Sequence, residues 1–173
     1  MRCLKTILTL LILTISIDVV ACSCIGSSTV DKAIKGSDAV LVGTAISKEI
    51  IKVKDFEAMR LSPNDSLNFD GIFYTSTIAK YKFVVEAIYK GNIKSDTIEV
   101  FTGLGGGDCG NRFKTGLQYI LYADKETYKG QLNNNYDYPK GRNQLWTNIC
   151  TRTRQFDKSE IDEIEKYRKK KNN

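Results

Sequence analysis

Four cysteines, Cys22, Cys24, Cys109 and Cys150, constrain this chain more than any other feature. A fifth, Cys3, falls in an opening segment of a different kind. There Arg2 and Lys5 precede the apolar stretch Thr6 to Ile17, and Val19 and Ala21 occupy the small-residue positions of a signal-peptidase site. This pattern predicts a signal peptide over residues 1–21, cleaved after Ala21, because the apolar stretch is well short of the ~20 residues a spanning helix needs. The protein is therefore expected to be exported, to the extracellular space, the cell surface or the periplasm, without a transmembrane helix. Val19 to Cys22 (VVAC) also fits a bacterial lipobox, in which the Cys22 sulfur is acylated and tethers the protein to a membrane. Both readings make Cys22 the first residue of the mature chain.

An even count of cysteines in an exported chain reads as two disulfides. Four cysteines allow three pairings, and geometry disfavours Cys22 with Cys24, which closes a ring with one residue between its ends. In either remaining pairing the N-terminal Cys-Ser-Cys is stapled to two distant segments, one at Cys109 and one at Cys150. The chain-entropy model assigns each such loop roughly 4 to 5 kcal/mol, although measured contributions range from about 0 to 5 kcal/mol and are not additive. A terminus that would ordinarily fray is thereby held in place.

Removal of the leader leaves about 150 residues, a size that buries roughly 70% of its unfolded surface and supports one independent core. The chain has 26 Lys+Arg against 20 Asp+Glu and no histidine. Mechanisms that need an imidazole as base, triad member or metal ligand are thus excluded. The basic excess is concentrated in Tyr167 to Lys171 (YRKKK), read as the solvated end of a helix, and nothing in it argues for nucleic acid. The chain is expected to be a monomer.

Along the mature chain, Ser27/Ser28, Asp31, Ala33, Ile34 and Gly36 predict a short capped helix. Ala39 to about Val53 reads as a strand, and 55–70, which contains Pro63, as a long loop. Ile72 to Tyr89 alternates apolar residues over the longest β pattern in the chain, ending at Gly91 and Asn92. Thr97 to Thr102, Leu117 to Ala123 and Gln144 to Arg152 are three further strands, with a polar loop over 128–142. The tail from Asp157 carries acids first, Ile161 and Ile164 on one face and basic residues last, as suits a helix dipole. Five strands without βαβ alternation predict a mainly β fold, a five-stranded antiparallel barrel of the OB type with a short N-terminal helix and a C-terminal helix. The expected organisation is a signal peptide over 1–21, the barrel domain over 22–156 and a charged helix over 157–173.

Two motifs fail on context. Gly105, Gly107 and Gly110 match GxGxxG, but Asn111 to Gly116 is too short and turn-prone to supply the helix that must receive a phosphate. Asp108 beside Cys109 suggests an activated thiol, yet a cysteine committed to a disulfide has no thiolate to offer. Acids are scattered, so no acid–base pair can be chosen, and no cofactor, intrinsic metal site or enzymatic activity is expected. Trp146 and the Tyr/Phe set read as barrel core or wall.

The order Cys-x-Cys at the mature N-terminus, a short helix, the DAVLVGTAIS and YKFVVEAIYKG strands, then DCG and a last Cys in TNIC resembles the tissue inhibitors of metalloproteinases. More broadly it resembles the netrin-like module, over about Cys22 to Arg154. The resemblance implies a disulfide-stapled OB barrel with Cys22 joined to Cys109 and Cys24 to Cys150. It also implies a mechanism: the Cys22 α-amine and carbonyl chelate the catalytic zinc of an extracellular metalloprotease and displace its water. Ser23 would enter the specificity pocket, and Gly107, Asp108, Cys109 and Gly110 would form the adjoining ridge, held against Cys22 by the disulfide, with Cys24 also among the protease-contact residues. Two disulfides rather than three, and an acid in a glycine-rich stretch before Cys109, set this chain apart from the family pattern. The other reading is an extracellular or lipid-anchored binding module in which the same cysteines serve only as a staple.

Overall fold

A computed structural model of the chain describes residues 24, 29–54, 75–105, 107–125 and 143–172. The expected signal peptide, Cys22, Ser23 and the two long loops expected over 55–70 and 128–142 lie outside the described residues.

Helix α1 spans Val30–Gly36 and is capped by Thr29, whose hydroxyl accepts from the Lys32 amide. The cap is thus Thr29 rather than the serines before it. The placement satisfies one of the free amides of the first turn and turns Val30, Ala33 and Ile34 inward. Six strands follow: β1 Ala39–Lys54, β2 Thr75–Lys90, β3 Thr97–Thr102, β4 Gln118–Ala123, β5 Gln144–Trp146 and β6 Arg154–Gln155. Helix α2, Lys158–Asn172, closes the chain, with Asp157 accepting from the Ser159 amide at its start.

The sheet order is β5-β3-β2-β1-β4-β6. All neighbours are antiparallel except β3 and β5, which run parallel with Val100 opposite Leu145. Among the described residues the sheet thus has six strands of mixed direction where five antiparallel ones are expected. Directions alternate along β1 to β5, so β3 and β5 point the same way and, as neighbours, can only pair in parallel. The extra strand arises because Gln144 to Arg152 is not one element: β5 stops at Trp146, a turn occupies 149–152, and the two-residue β6 pairs with β4. The ladders leave the sheet open. Among the described residues one isolated bridge links edge strand β5 to the end of β4, in which the Asp124 and Trp146 amides each donate to the other's carbonyl at 2.8 and 2.6 Å.

Period-two alternation sends successive residues of β1 to two cores. Leu41 and Ala45 join Tyr81, Phe83, Ile98, Val100, Tyr119, Leu121 and Leu145 in a cluster drawn from all of β1 to β5. Phe113 sits edge-on to Tyr81, Phe83 and Tyr119 at 4.9 to 5.2 Å within it. Val40 and Val42 face the other way, with Ile120 and Tyr122, against Val30, Ala33 and Ile34 of α1 and Ile161 and Ile164 of α2. The sheet therefore packs one core on one face and carries the helices α1 and α2 on the other. At Gly43 a Cβ would lie 2.7 Å from the Val84 carbonyl oxygen, and the β1–β2 register shifts there, so only glycine lets the two strands close up at the bulge.

Candidate functional site

The 149–152 turn is built by side chains. Asn148 Oδ1 accepts from the Cys150 amide at 2.8 Å, and the Asn148 carbonyl accepts from the Thr151 hydroxyl. An asparagine that captures the backbone two residues on competes with the β ladder and wins at this point. Beneath it, the Thr147 and Thr153 hydroxyls both donate to the Tyr122 carbonyl, while Thr153 accepts from the Tyr122 amide. Thr147 is fully buried and within 2.6 Å of the Thr151 hydroxyl. Arg152 takes a left-handed conformation, φ +66°, which reverses the chain into β6. Cys150 is thereby presented at the surface, where it is bonded to Cys24 with Cα atoms 5.3 Å apart across 126 residues of sequence.

A second loop, between β3 and Phe113, lies against this turn. Its centre is Asp108. One carboxylate oxygen accepts from the Leu104 amide, and the other from the Gly105 and Gly110 amides at 2.9 and 3.2 Å. Arg112 completes the wrap, donating to the Leu104 and Gly105 carbonyls at 3.4 and 2.7 Å. The amides that a phosphate-binding loop would offer to a ligand are thus occupied by the loop's own acid, and no helix follows. Gly110 is backed onto Gly103 so closely that a Cβ would lie 2.1 Å from the Gly103 carbonyl carbon and oxygen. Cys109, between Asp108 and Gly110, is left-handed at φ +56°, a conformation a cysteine holds only where its surroundings impose it.

Cys109 is disulfide-bonded, to a residue outside the described ones. Its carbonyl accepts from the Ile149 amide at 3.0 Å, so the two loops are joined next to both of their cysteines. Among the predicted site residues, the structure brings Cys24, Asp108, Cys109 and Cys150 together at one end of the sheet. Cys22 and Ser23 lie outside the described residues. Gly107 is exposed at the tip, with open space around its Cα. Leu104 and Ile149, at 37% and 42% exposure, flank the cysteines with apolar surface. Sequence reasoning passed over these two residues and Arg112, although a glycine-rich segment holding one acid and followed by an arginine is itself a signal for a self-bonded loop.

The ridge is anchored from below by an ion-pair cluster. Glu160, in the first turn of α2, is only 3% exposed. It accepts from Tyr122 Oη at 2.7 Å, from Arg152 Nε and Nη2 at 2.7 and 2.9 Å, and from Arg154 Nη1 at 3.2 Å. Burial, reinforced by the Glu160 carboxylate, holds the Tyr122 phenol far above its ordinary value and therefore protonated as a donor. The hydrogen bonds to Glu160 raise Arg152 above its usual value too. This bidentate arginine ties the 149–152 turn to α2 with a charge that cannot be lost at any ordinary pH.

What this arrangement offers chemically is a rigid, covalently closed ridge. Among the described residues no group of three or more His, Cys, Asp or Glu is placed to hold a metal ion, and no helix is long and apolar enough to cross a membrane. No protein-family model and no curated protein matches the chain.

Proposed function

We propose that this protein is an exported, netrin-like domain that inhibits a zinc metalloprotease by presenting Cys22 and Ser23 from a disulfide-stapled ridge. The observation that carries the reading is the 3.0 Å bond from the Ile149 amide to the Cys109 carbonyl, beside the Cys24–Cys150 disulfide. In this reading the start of the mature chain, one residue beyond Ser23, lies against the Asp108–Cys109 loop, which the bond and the disulfide support by tying Cys24 to that loop. In this reading Cys109 is bonded to Cys22, since Cys3 departs with the leader. The Cys22 α-amine and carbonyl then form a five-membered chelate at the open position that a catalytic zinc keeps for water. Stapling spends the ordering entropy of the terminus before the encounter. An α-amine with a reference pKa of about 7.7 to 8.0 loses its proton at little cost near neutrality. The barrel belongs to this reading as well: β1 pairs with β2 and β4, β3 lies parallel to β5, and the Asp124–Trp146 bridge links edge strand β5 to the end of β4, which supports a five-stranded OB barrel with β6 as an appendage.

The second reading, a binding module without inhibitory activity, draws on Asp108, whose carboxylate is spent on its own loop rather than offered to a partner. The two separate on the intact mass and N-terminal sequence of the mature protein from its exporting cell, before and after reduction. An unmodified Cys22 at the N-terminus and a gain of about four mass units on reduction, two per disulfide, support the inhibitor. A diacylglycerol on the Cys22 sulfur removes the Cys22 staple, overturns the inhibitor reading and leaves a membrane-tethered module.

A further inference from the structure

Strand β1 outruns one of its two neighbours. β4 pairs with Ala39 to Thr44, and two further bonds, from the Ala45 amide to the Leu117 carbonyl and from the Gly116 amide to the Ala45 carbonyl, end that ladder. There a turn at Gly116, φ +81°, carries the preceding chain into the core at Phe113. On its other side β1 stays paired with β2 as far as Lys54, opposite Thr75. Among the described residues nothing pairs with the β4 side of β1 beyond Ala45, and 46–50 are five consecutive exposed residues. A strand edge left open in this way is a template for another strand.

The hydrogen-bond alternation of β2 determines which groups face that edge. The Val85 amide donates to the Asp96 carbonyl at 2.9 Å, in line with β3, so Phe83, Tyr81 and Ala79 also turn their peptide groups to β3. Lys82, Lys80 and Ile78 turn theirs to β1, where Ser47, Glu49 and Ile51 meet them. The amides and carbonyls of Lys48, Ile50 and Lys52 therefore point out of the sheet edge. Their side chains share one face, opposite Tyr81, Ala79 and Thr77. Ile50 is 50% exposed, and the Lys48 ammonium stands 5.6 Å from the Tyr81 ring centroid. Glu49 lies on the opposite face, where Lys80 holds it at 2.5 Å. The open edge thus presents two cations on either side of an apolar residue.

Charge decides what can pair there. An antiparallel pairing of two copies centred at any residue from Lys48 to Lys52 sets like charges directly opposite one another: Lys48, Glu49 or Lys52 against itself, or Lys48 against Lys52 or Lys54. The lysines that keep a second copy away attract a strand that carries acids.

We propose that the open edge of β1 takes an extended acidic segment of a partner protein as an added antiparallel strand, with an acid opposite Lys48, an apolar residue opposite Ile50 and an acid opposite Lys52. Backbone bonds to the three outward peptide groups hold the segment, and the alternate side chains select it. The proposal uses no residue of the cysteine ridge, so it stands apart from the inhibitor reading.

The test is the binding, by the full chain, of a labelled seven-residue peptide in which threonine alternates with glutamate, valine and glutamate. A second peptide carries lysine in place of both glutamates. The glutamate peptide is expected to bind and the lysine peptide not. Lys48→Glu with Lys52→Glu is expected to weaken the glutamate peptide at least about tenfold, since two cross-strand pairs turn repulsive, and to admit the lysine peptide. Lys94→Glu with Lys169→Glu, the same charge change at exposed positions outside β1, is expected to leave binding within about twofold. The thermal midpoint of both variants is expected to match that of the parent chain. A methyl group on the valine amide, which faces β1, is expected to abolish binding, and one on the next threonine amide, which faces away, to preserve it. No binding of the glutamate peptide, equal binding of the lysine peptide, equal weakening by the two variants or equal effects of the two methyl groups would overturn the proposal. So would a dimer of the parent chain that Lys48→Glu with Lys52→Glu dissolves, since a second copy would then fill the edge.

Discussion

The Ile149 amide donates to the Cys109 carbonyl at 3.0 Å, and this bond joins the two loops that carry the chain's distant cysteines. Ile149 precedes Cys150 by one residue, so the bond and the Cys24–Cys150 disulfide are adjacent links in one chain of constraint. Cys24 is thereby tied to the segment that holds Asp108 and Cys109. The energy of the ridge therefore rests on groups that can be removed one at a time.

The Cys24–Cys150 disulfide spans 126 residues and so restricts the unfolded chain strongly. Replacing both cysteines by serine is expected to cost about 2 to 5 kcal/mol, the usual loss for a native disulfide in a small exported domain. Urea unfolding measures it. A change under about 1 kcal/mol would mean that the unfolded chain is already held compact around this segment.

Gly110 and Gly107 make opposite predictions three residues apart. Gly110→Ala forces a Cβ into the Gly103 carbonyl and should destabilise the fold by about 2 kcal/mol or more, because backbone rather than a side-chain tip must move. Gly107→Ala meets open space and should stay within about 0.5 kcal/mol of the parent chain. Thermal unfolding of the two variants is the comparison, and equal effects would contradict the packing of Gly103 on Gly110.

Glu160→Gln leaves Arg152 facing a neutral partner beside a buried phenol. A loss of about 2 to 4 kcal/mol is expected, below the full range for a wholly enclosed pair because Arg154 is half-exposed. Its neighbour gives a pH signature. Tyr122 remains protonated in the fold well above its ordinary range, through burial first and the Glu160 hydrogen bond second. In the unfolded chain it ionises near pH 10. Above that pH the unfolded state has lost a proton that the folded state keeps, so stability falls as pH rises, by up to about 1.4 kcal/mol per pH unit from this group. Below that pH the contribution is complete. Denaturant unfolding between about pH 9 and 11 should show a shallower decline for Tyr122→Phe than for the parent chain, and identical slopes would contradict the assignment.

Strands built on alternation were legible in the sequence. Thr97–Thr102 is found where its pattern predicts, β1 and β4 within one residue, and the two inward isoleucines of α2 are Ile161 and Ile164. What was not legible depends on side chains that act on the backbone. Gln144 to Arg152 alternates well enough to read as a strand, yet Asn148 takes the Cys150 amide for itself and ends the ladder. The parallel pairing of β5 with β3 is set by which edge is free, which no local pattern records. Glu160 reads as an ordinary acid of a first helical turn. Its burial becomes apparent only when the preceding turn brings Arg152 and Arg154 onto it. Among the described residues no helix follows the glycine-rich loop, as the short, turn-prone Asn111 to Gly116 predicts. The sequence did not reveal that Asp108 accepts from the Leu104, Gly105 and Gly110 amides of its own loop.

The central claim concerns the α-amine of Cys22, and it is tested by inhibition of a panel of zinc metalloproteases with three forms of the protein. These are the mature chain starting at Cys22, the same chain with its amine acetylated, and a chain with one alanine placed before Cys22. The account predicts that the first inhibits at least one protease and that acetylation or extension abolishes this while the thermal midpoint is unchanged. Undiminished inhibition by the extended chain, or no inhibition by the unmodified one across the panel, would contradict it.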